Sequence, residues 1–306
     1  MTRPEDLPAY LADSAFTTRT GARAGLSRSR LRAADLTRPH HGVRAVGLDL
    51  SDYVDRCRAA AVAAGERAAV SHVSALVLWG APVPSGVVGE HAAIHVTTAS
   101  GRIRRPGIVG HEGAEPSQFV QAPMGVRAIA PAVAWCQYAA DADFVSLVAI
   151  GDFLVTGRRR GRRRERAICT IEELRQAVAD HGARRGARML ARALSAIREG
   201  VDSRQETELR LLLVDAGLPE PAIGVRVATH LGELVPDLAY PGARVILEYE
   251  GDHHRTDRRQ WRSDFERVRA FQRAGWIVIR VNADDLADAR RRASLVAQVR
   301  DLLARS

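Results

Sequence analysis

Four acids and one histidine in the last third of the chain are the residue types that hydrolytic chemistry uses. Asp237, Glu248 and Glu250 flank Pro241-Gly242 in the stretch 236–254, which reads PDLAYPGARVILEYEGDHH. Side chains alternate along a strand, so Val235, Asp237 and Ala239 share one face. Glu248 and Glu250 likewise share a face of the returning strand begun by Val245-Ile246-Leu247. Pro-Gly is turn chemistry, and pairing across it brings Asp237 near both glutamates. Carboxylates packed that closely raise one another's pKa unless a cation or a shared proton relieves them. Hard divalent cations with oxygen ligands give that relief.

A solvated hairpin face with scattered acids is the plain alternative, and the flanking residues argue against it. Gly251-Asp252-His253-His254 follows directly, then an amphipathic helix with Trp261, Phe265, Val268 and Phe271 on one stripe. Gly275 stops that helix, and residues 276–281 read as another strand.

Glu206 in an opening helix (SRQETELRLLL), Pro236-Asp237, Glu248-Tyr249-Glu250-Gly251, His254-Arg255 and the strand Gly275-Trp276-Ile277-Val278-Ile279-Arg280 occur in an order and spacing with a known counterpart. Residues 203–285 resemble the PD-(D/E)XK nuclease superfamily, in the branch similar to very-short-patch-repair endonucleases. The resemblance implies a restriction-endonuclease-like αβββαβα domain, a Mg²⁺ (or Mn²⁺) cofactor and DNA as substrate. It implies Glu206, Asp237 and Glu248 as metal ligands, and Asp237, Glu248, Glu250 and His254 as the catalytic set. One position departs from the pattern. The superfamily carries a lysine two residues after the second acid, where this chain has Glu250; all 45 basic residues are arginine. In the resembling branch an acid there is common and a downstream histidine stands in, which points to His254 as general base or phosphate-positioning group. Gln260 and Arg262 are further candidates for backbone contacts.

At 306 residues the chain has room for two or three domains. Its 46% hydrophobic and 26% charged content excludes disordered and fibrous classes. No apolar run reaches membrane-spanning length and the first residues lack a signal-peptide core, so no membrane partner and a cytoplasmic location are expected. Cys57, Cys136 and Cys169 have no metal-ligand spacing and read as reduced thiols. Charge is uneven: residues 157–200 hold 13 arginines against 5 acids, which is +8 of the total +9. Such a patch suits a polyanion such as nucleic acid, or is a solvated basic linker.

Residues 1–48 read as a winged helix-turn-helix. A helix over 18–24, a turn at Gly25-Leu26, a second helix capped by Ser27 and running to Ala34, and a strand over 41–46 follow in that order. The second helix carries Arg28, Arg30 and Arg32 as candidate groove contacts. FTTRTGARAGLSRSRLRAADLTRPHHGVRAV also resembles the N-terminal winged helix of AbiEi-like type IV antitoxins, which implies DNA, or a toxin or defence-system protein, as partner.

Residues 49–200 form an α+β middle region, with the basic segment at 157–200. Helices are expected over 52–64 and 69–79, a strand over 92–98, and a short strand followed by a helix within 119–135. His72 reads as a satisfied polar group; His91, His95 and His111 have no spacing that fixes a metal site. The run 157–164 reads as an exposed loop. Thr170 caps a helix with Glu173 in a capping box. A further helix over 183–198 presents Arg184, Arg188 and Arg192 at a pitch that can follow phosphates. Residues 201–306 form the nuclease-like domain: a helix capped by Ser203, a hairpin of strands 224–230 and 234–240, and a closing helix over 284–303. The fold class expected is therefore α/β and multi-domain. The activity expected is metal-dependent DNA hydrolysis; the competing reading is a DNA-binding regulator or antitoxin whose nuclease-like domain is inactive.

Overall fold

A computed structural model describes residues 6–113, 115–160, 163–251 and 258–305, with backbone alone for 116, 160 and 258–264. The chain is mixed α/β and divides into two compact units, 1–150 with 169–195, and 151–168 with 196–306. Among the described residues no helix is long and apolar enough to cross a membrane.

The first unit opens with β1 (Ser14–Thr17), α1 (Thr18–Arg23) and β2 (Val43–Val46). β1 and β2 pair antiparallel, and Thr17 caps α1 by accepting the Thr20 N–H at 3.0 Å. Phe16, Leu26, Leu31 and Leu36 form a small core. The helix expected from Ser27 to Ala34 is a single 3-10 turn, Arg30–Arg32. Ser27 still accepts the Arg30 N–H at 3.0 Å. However, the Arg30 guanidinium folds into a two-pronged pair with Asp35, 2.8 Å at each contact. Thr37 already bridges to Ala45, so the chain turns back before another helical turn can form.

α2 (Tyr53–Ala64) runs from its Asp52 cap to Gly65, as its sequence signals require. β3 (Ala68–Val70) precedes α3 (His72–Leu78), so the helix expected from residue 69 starts three residues later. Ala68-Ala69-Val70 is instead buried between two neighbouring strands. β4 (Ile94–Thr98), β5 (Arg104–Arg105), β6 (Ile108–Glu112), β7 (Phe119–Gln121) and β8 (Arg127–Ile129) complete a six-stranded sheet of order β5-β6-β4-β3-β8-β7. The one strand expected near residue 119 is thus two, paired antiparallel. A Cβ on Gly110 would lie 2.2 Å from the Ile103 carbonyl oxygen, so this strand approach admits only glycine. α4 (Pro131–Tyr138) buries Trp135, whose Nε1 donates to the Leu147 carbonyl at 2.8 Å.

α5 (Phe144–Thr156) has no counterpart in the sequence reading, and residues 144–150 and 151–156 fall in different units. β9 (Arg159–Arg160) and β10 (Arg163–Arg164) pair as a hairpin where a loop is expected. α6 (Ile171–His181) has the expected Thr170–Glu173 capping box. α7 (Ala187–Ala196) is shorter than the expected 183–198, because Gly186 sits before it at φ 90°.

In the second unit α8 (Arg204–Asp215) is capped by Ser203 and followed by Gly217 at φ 77°. β11 (Val227–Thr229) and β12 (Gly232–Leu234) form a separate hairpin. β13 (Leu238–Tyr240), β14 (Val245–Glu250), α9 (Arg258–Arg273) and β15 (Ile277–Asn282) follow. The sheet order is β13-β14-β15, antiparallel and then parallel. The strand expected over 234–240 breaks between Leu234 and Leu238, at Pro236, which has no N–H to give a ladder. The closing helix is likewise two, α10 (Ala283–Ala287) and α11 (Ala289–Ala304). Asp288 separates them by accepting the N–H groups of Arg290 and Arg291. Leu209, Leu238, Leu247, Ile279, Leu286 and Val299 share one core, with α8 and α11 packed on the sheet.

That core borders a buried ion pair. The Asp152 and Arg210 side chains are each 1% exposed and 2.9 Å apart. Asp152 also accepts from Thr207 Oγ1 and the Arg198 N–H, each at 2.7 Å, while Arg210 reaches Glu220 at 2.8 Å. Burial raises the Asp152 pKa, and Arg210 opposes that rise. Arg210→Met leaves this carboxyl uncompensated, which should cost about 3–5 kcal/mol. Urea unfolding checks it, since an unchanged midpoint would show that the pair carries no stability.

Candidate functional site

The three acids implied as metal ligands come from two structural contexts. β13 and β14 pair with Leu238 opposite Leu247, so the register sets Asp237 across from Glu248. The Asp237 N–H donates to Glu248 Oε1 at 3.3 Å, and Asp237 Oδ2 accepts the Tyr249 N–H at 2.8 Å. Glu206 comes from the first turn of α8. Its carboxylate accepts the Asp202 N–H and the Ser203 hydroxyl, each at 2.9 Å. The local reason is helix capping, because Ser203 in return accepts the Glu206 N–H at 3.1 Å.

Burial and mutual repulsion act on these acids together. Burial pushes Glu206 up to about 8, and the neighbouring Asp237 charge adds to the rise. Burial pushes Asp237 up to about 7, with the Glu248 charge next in importance. Of the three carboxylates expected to converge across the hairpin, Asp237 and Glu248 face each other and Glu250 turns to Arg280, while the Asp237 charge reaches Glu206 of α8. Burial and mutual repulsion thus shift Glu206 and Asp237 toward their protonated forms.

Glu248 has a counter-charge that sequence reasoning missed. Arg267 of α9 forks onto it, Nε at 2.8 Å and the second amino group at 3.1 Å, and also donates to the Val235 carbonyl. The pair spans 19 residues, and no spacing rule marks it. Glu250 occupies the same strand face but pairs with Arg280 of β15, and its side chain is 39% exposed. His254 lies outside the described residues, as do His253 and the side chains of Gln260, Trp261 and Arg262. Of the expected helix stripe, Phe271 is fully buried and Phe265 is exposed, with the Arg269 guanidinium over its ring.

The β9–β10 hairpin is tied to the edge of this site. Arg159 and Arg164 both reach Asp202, each at 2.6 Å. Asp202 is itself close enough to raise the pKa of Glu206 and Asp237. Arginine-rich backbone thus borders the buried carboxylates, an arrangement suited to a phosphodiester chain next to an acid centre.

The candidate nucleic-acid contacts divide. Arg28 and Arg32 are exposed, whereas Arg30 is 6% exposed and committed to Asp35, so it is a core ion pair rather than a groove-reading side chain. Arg188 and Arg192 lie on α7 and are exposed, and Arg192 stacks over the Phe144 ring at 3.9 Å. Arg184 precedes the helix, so the expected three-residue stripe keeps two members on α7.

A second cluster lies in the first unit. His72, His95 and His111 each present a ring nitrogen, and these atoms all lie within 4.8 Å of one another. His72 is thus a member of a cluster and not an isolated polar group, and His91 is outside it. Burial lowers the pKa of all three, His72 to about 3 and His111 to about 4. The sequence carries the residues but not the strand order that unites them.

No protein-family model matches the chain, and no solved structure matches it. It is similar to Uncharacterized protein Rv2248 of Mycobacterium tuberculosis strain H37Rv and to Uncharacterized protein MT2308 of strain CDC 1551. Each is 32% identical over 120 residues, which is 39% of this chain and 44% of the relative. The chain therefore spans less than half the length of the curated relatives it matches.

The raised acids have a pH consequence. Their folded pKa lies above the unfolded value near 4, so unfolding releases protons and stability falls as pH rises from about 4 through about 8. Glu206→Gln removes one such group and should flatten that slope while raising the melting temperature near pH 8. Thermal unfolding across this window tests it; a slope identical to wild type would contradict the burial of an ionisable Glu206.

Proposed function

We propose that the second unit hydrolyses phosphodiester bonds in DNA with a bound divalent cation. The observation that carries this reading is the set Glu206, Asp237 and Glu248: Asp237 and Glu248 face each other across the hairpin, the Asp237 charge reaches the buried Glu206, and the arginine-bearing β9–β10 hairpin is tied to the adjoining Asp202. Arg267 pairs with Glu248 only, and the oxygen donors of Glu206 and Asp237 suit Mg²⁺ or Mn²⁺. Glu206, Asp237 and Glu248 would hold the ion. When bound, it supplies activation of a water and charge stabilisation at the scissile phosphate. Arg267 fixes the Glu248 rotamer from α9, and Asp237 is oriented by the Tyr249 N–H. The exposed Arg163 of β10 is assigned a contact to the phosphate backbone, and His254 is assigned as proton acceptor or phosphate-positioning group. The order α8, β13, β14, α9, β15 and α10–α11 supports this reading in part; it departs from a restriction-endonuclease-like αβββαβα domain in that β11 and β12 form a separate hairpin beside a three-stranded sheet. On this reading the first unit supplies DNA contacts through Arg28, Arg32, Arg188 and Arg192.

A second reading is favoured by two specific observations. Glu248 is already engaged by both prongs of Arg267, and Glu250, at the position of the superfamily's lysine, is neutralised by Arg280. Both suit a domain that retains the scaffold without the reaction, in a DNA-binding regulator or antitoxin that partners a toxin or defence-system protein.

Incubation of the full chain with supercoiled, linear and mismatched DNA in Mg²⁺, Mn²⁺ or EDTA separates them. Metal-dependent cutting, reduced about 100-fold or more by Asp237→Ala and by Glu248→Ala, is the expected result. Cutting by both variants at the wild-type rate would overturn the site. Intact DNA on every substrate, with duplex binding retained, would establish the regulator.

A further inference from the structure

The three-histidine cluster is built by strand pairing rather than by sequence proximity. β4 and β6 are parallel, with Thr97 level with His111 and His95 level with Val109. Alternation places His95, Thr97 and His111 on one sheet face. β3 pairs antiparallel with β4, and the Ser71 N–H beyond its end donates to the His95 carbonyl at 2.9 Å. His72 then enters α3 at φ 52°, a backbone region that residues other than glycine rarely adopt. The Gln137 side chain holds that turn by accepting the His72 N–H at 3.1 Å. The result is a His72 ring stacked on His111, 3.8 Å between centroids, with His95 5.4 Å from His72. Backbone strain of this kind persists where the surroundings enforce it, and it concentrates at functional sites.

Two further features point to a ligand. His95 Nδ1 and His111 Nε2 face each other at 3.0 Å, so either one is an N–H donor or both lone pairs converge on a shared cation. Thr97 is 2% exposed, and its hydroxyl has no hydrogen-bond partner. Its place between His95 and His111 on the same face puts an orphan polar group beside the imidazoles. Imidazole nitrogens select zinc and its first-row neighbours, whereas magnesium takes oxygen. Three protein ligands leave a fourth position for water or an exogenous ligand.

We propose that His72, His95 and His111 bind one transition-metal ion of the zinc type in the first unit, with Thr97 beside the open fourth position. This site is chemically distinct from the carboxylate site of the second unit, and it stands whether or not that site cuts DNA.

Zinc and cobalt titrations of the full chain, purified without a histidine tag, test the proposal. Expected are one tightly held zinc per chain that excess Mg²⁺ does not displace, and a visible cobalt spectrum of low coordination number. His95→Ala and His111→Ala should weaken zinc by at least about 100-fold, while Asp237→Asn leaves it unchanged. Should the alanine variants fail to fold, labelling of wild-type histidines with diethyl pyrocarbonate gives an independent reading. Zinc is expected to protect His72, His95 and His111 and to leave His91 reactive. Absence of stoichiometric zinc, loss of zinc in Asp237→Asn, or no protection of the three rings overturns the proposal.

Discussion

Asp152 and Glu206 are buried carboxyl groups and Asp237 and Glu248 partly buried ones within one unit, and taking an ionised carboxylate into a protein costs several kcal/mol unless something neutralises it. The second unit meets that requirement in three ways. Asp152 is answered by Arg210 in a fully buried pair, with Thr207 and a backbone N–H filling its remaining lone pairs. Glu248 is answered by the Arg267 fork. Glu206 and Asp237 have no arginine prong of their own among the described contacts, and burial shifts both toward the protonated form instead. The first solution is permanent and structural. The third is conditional, because a proton can be exchanged for a metal ion.

This contrast is what separates scaffold from site. Asp152 and Arg210 tie α5 to α8, and α8 in turn carries Glu206 at its first turn. The β13–β14 register then presents Asp237 and Glu248 opposite one another. Arg267 brings α9 to the same point, with Phe271 of that helix fully buried against the sheet. The carboxylates are therefore positioned by a helix cap, a strand register and a guanidinium fork, each short-ranged and geometrically strict.

What the sequence made legible were features with local signals. The Thr170–Glu173 and Ser203–Glu206 caps, the Asp52 and Gly65 boundaries of α2, and the turn near Pro241 each rest on residues within a few positions of one another. The pairing of Asp237 with Glu248 followed from period-two alternation together with a turn at Pro241-Gly242. Most of the misses are non-local or lack contrast. α5 is apolar around most of its circumference, so it has no amphipathic stripe to read. The helix expected after Ser27 gave way to an ion pair of Arg30 with Asp35. Arg267 and Arg210 find partners 19 and 58 residues away. His72, His95 and His111 meet only because β3, β4 and β6 lie side by side.

A cation bound by Glu206 and Asp237 would displace protons from them. Calorimetric titration of Mn²⁺ into the full chain near pH 7, in buffers of different ionisation enthalpy, counts the protons released per ion bound. Release of about one proton or more, largely lost in Glu206→Gln, is expected. Manganese binding with no proton release, or no binding at all, would contradict it.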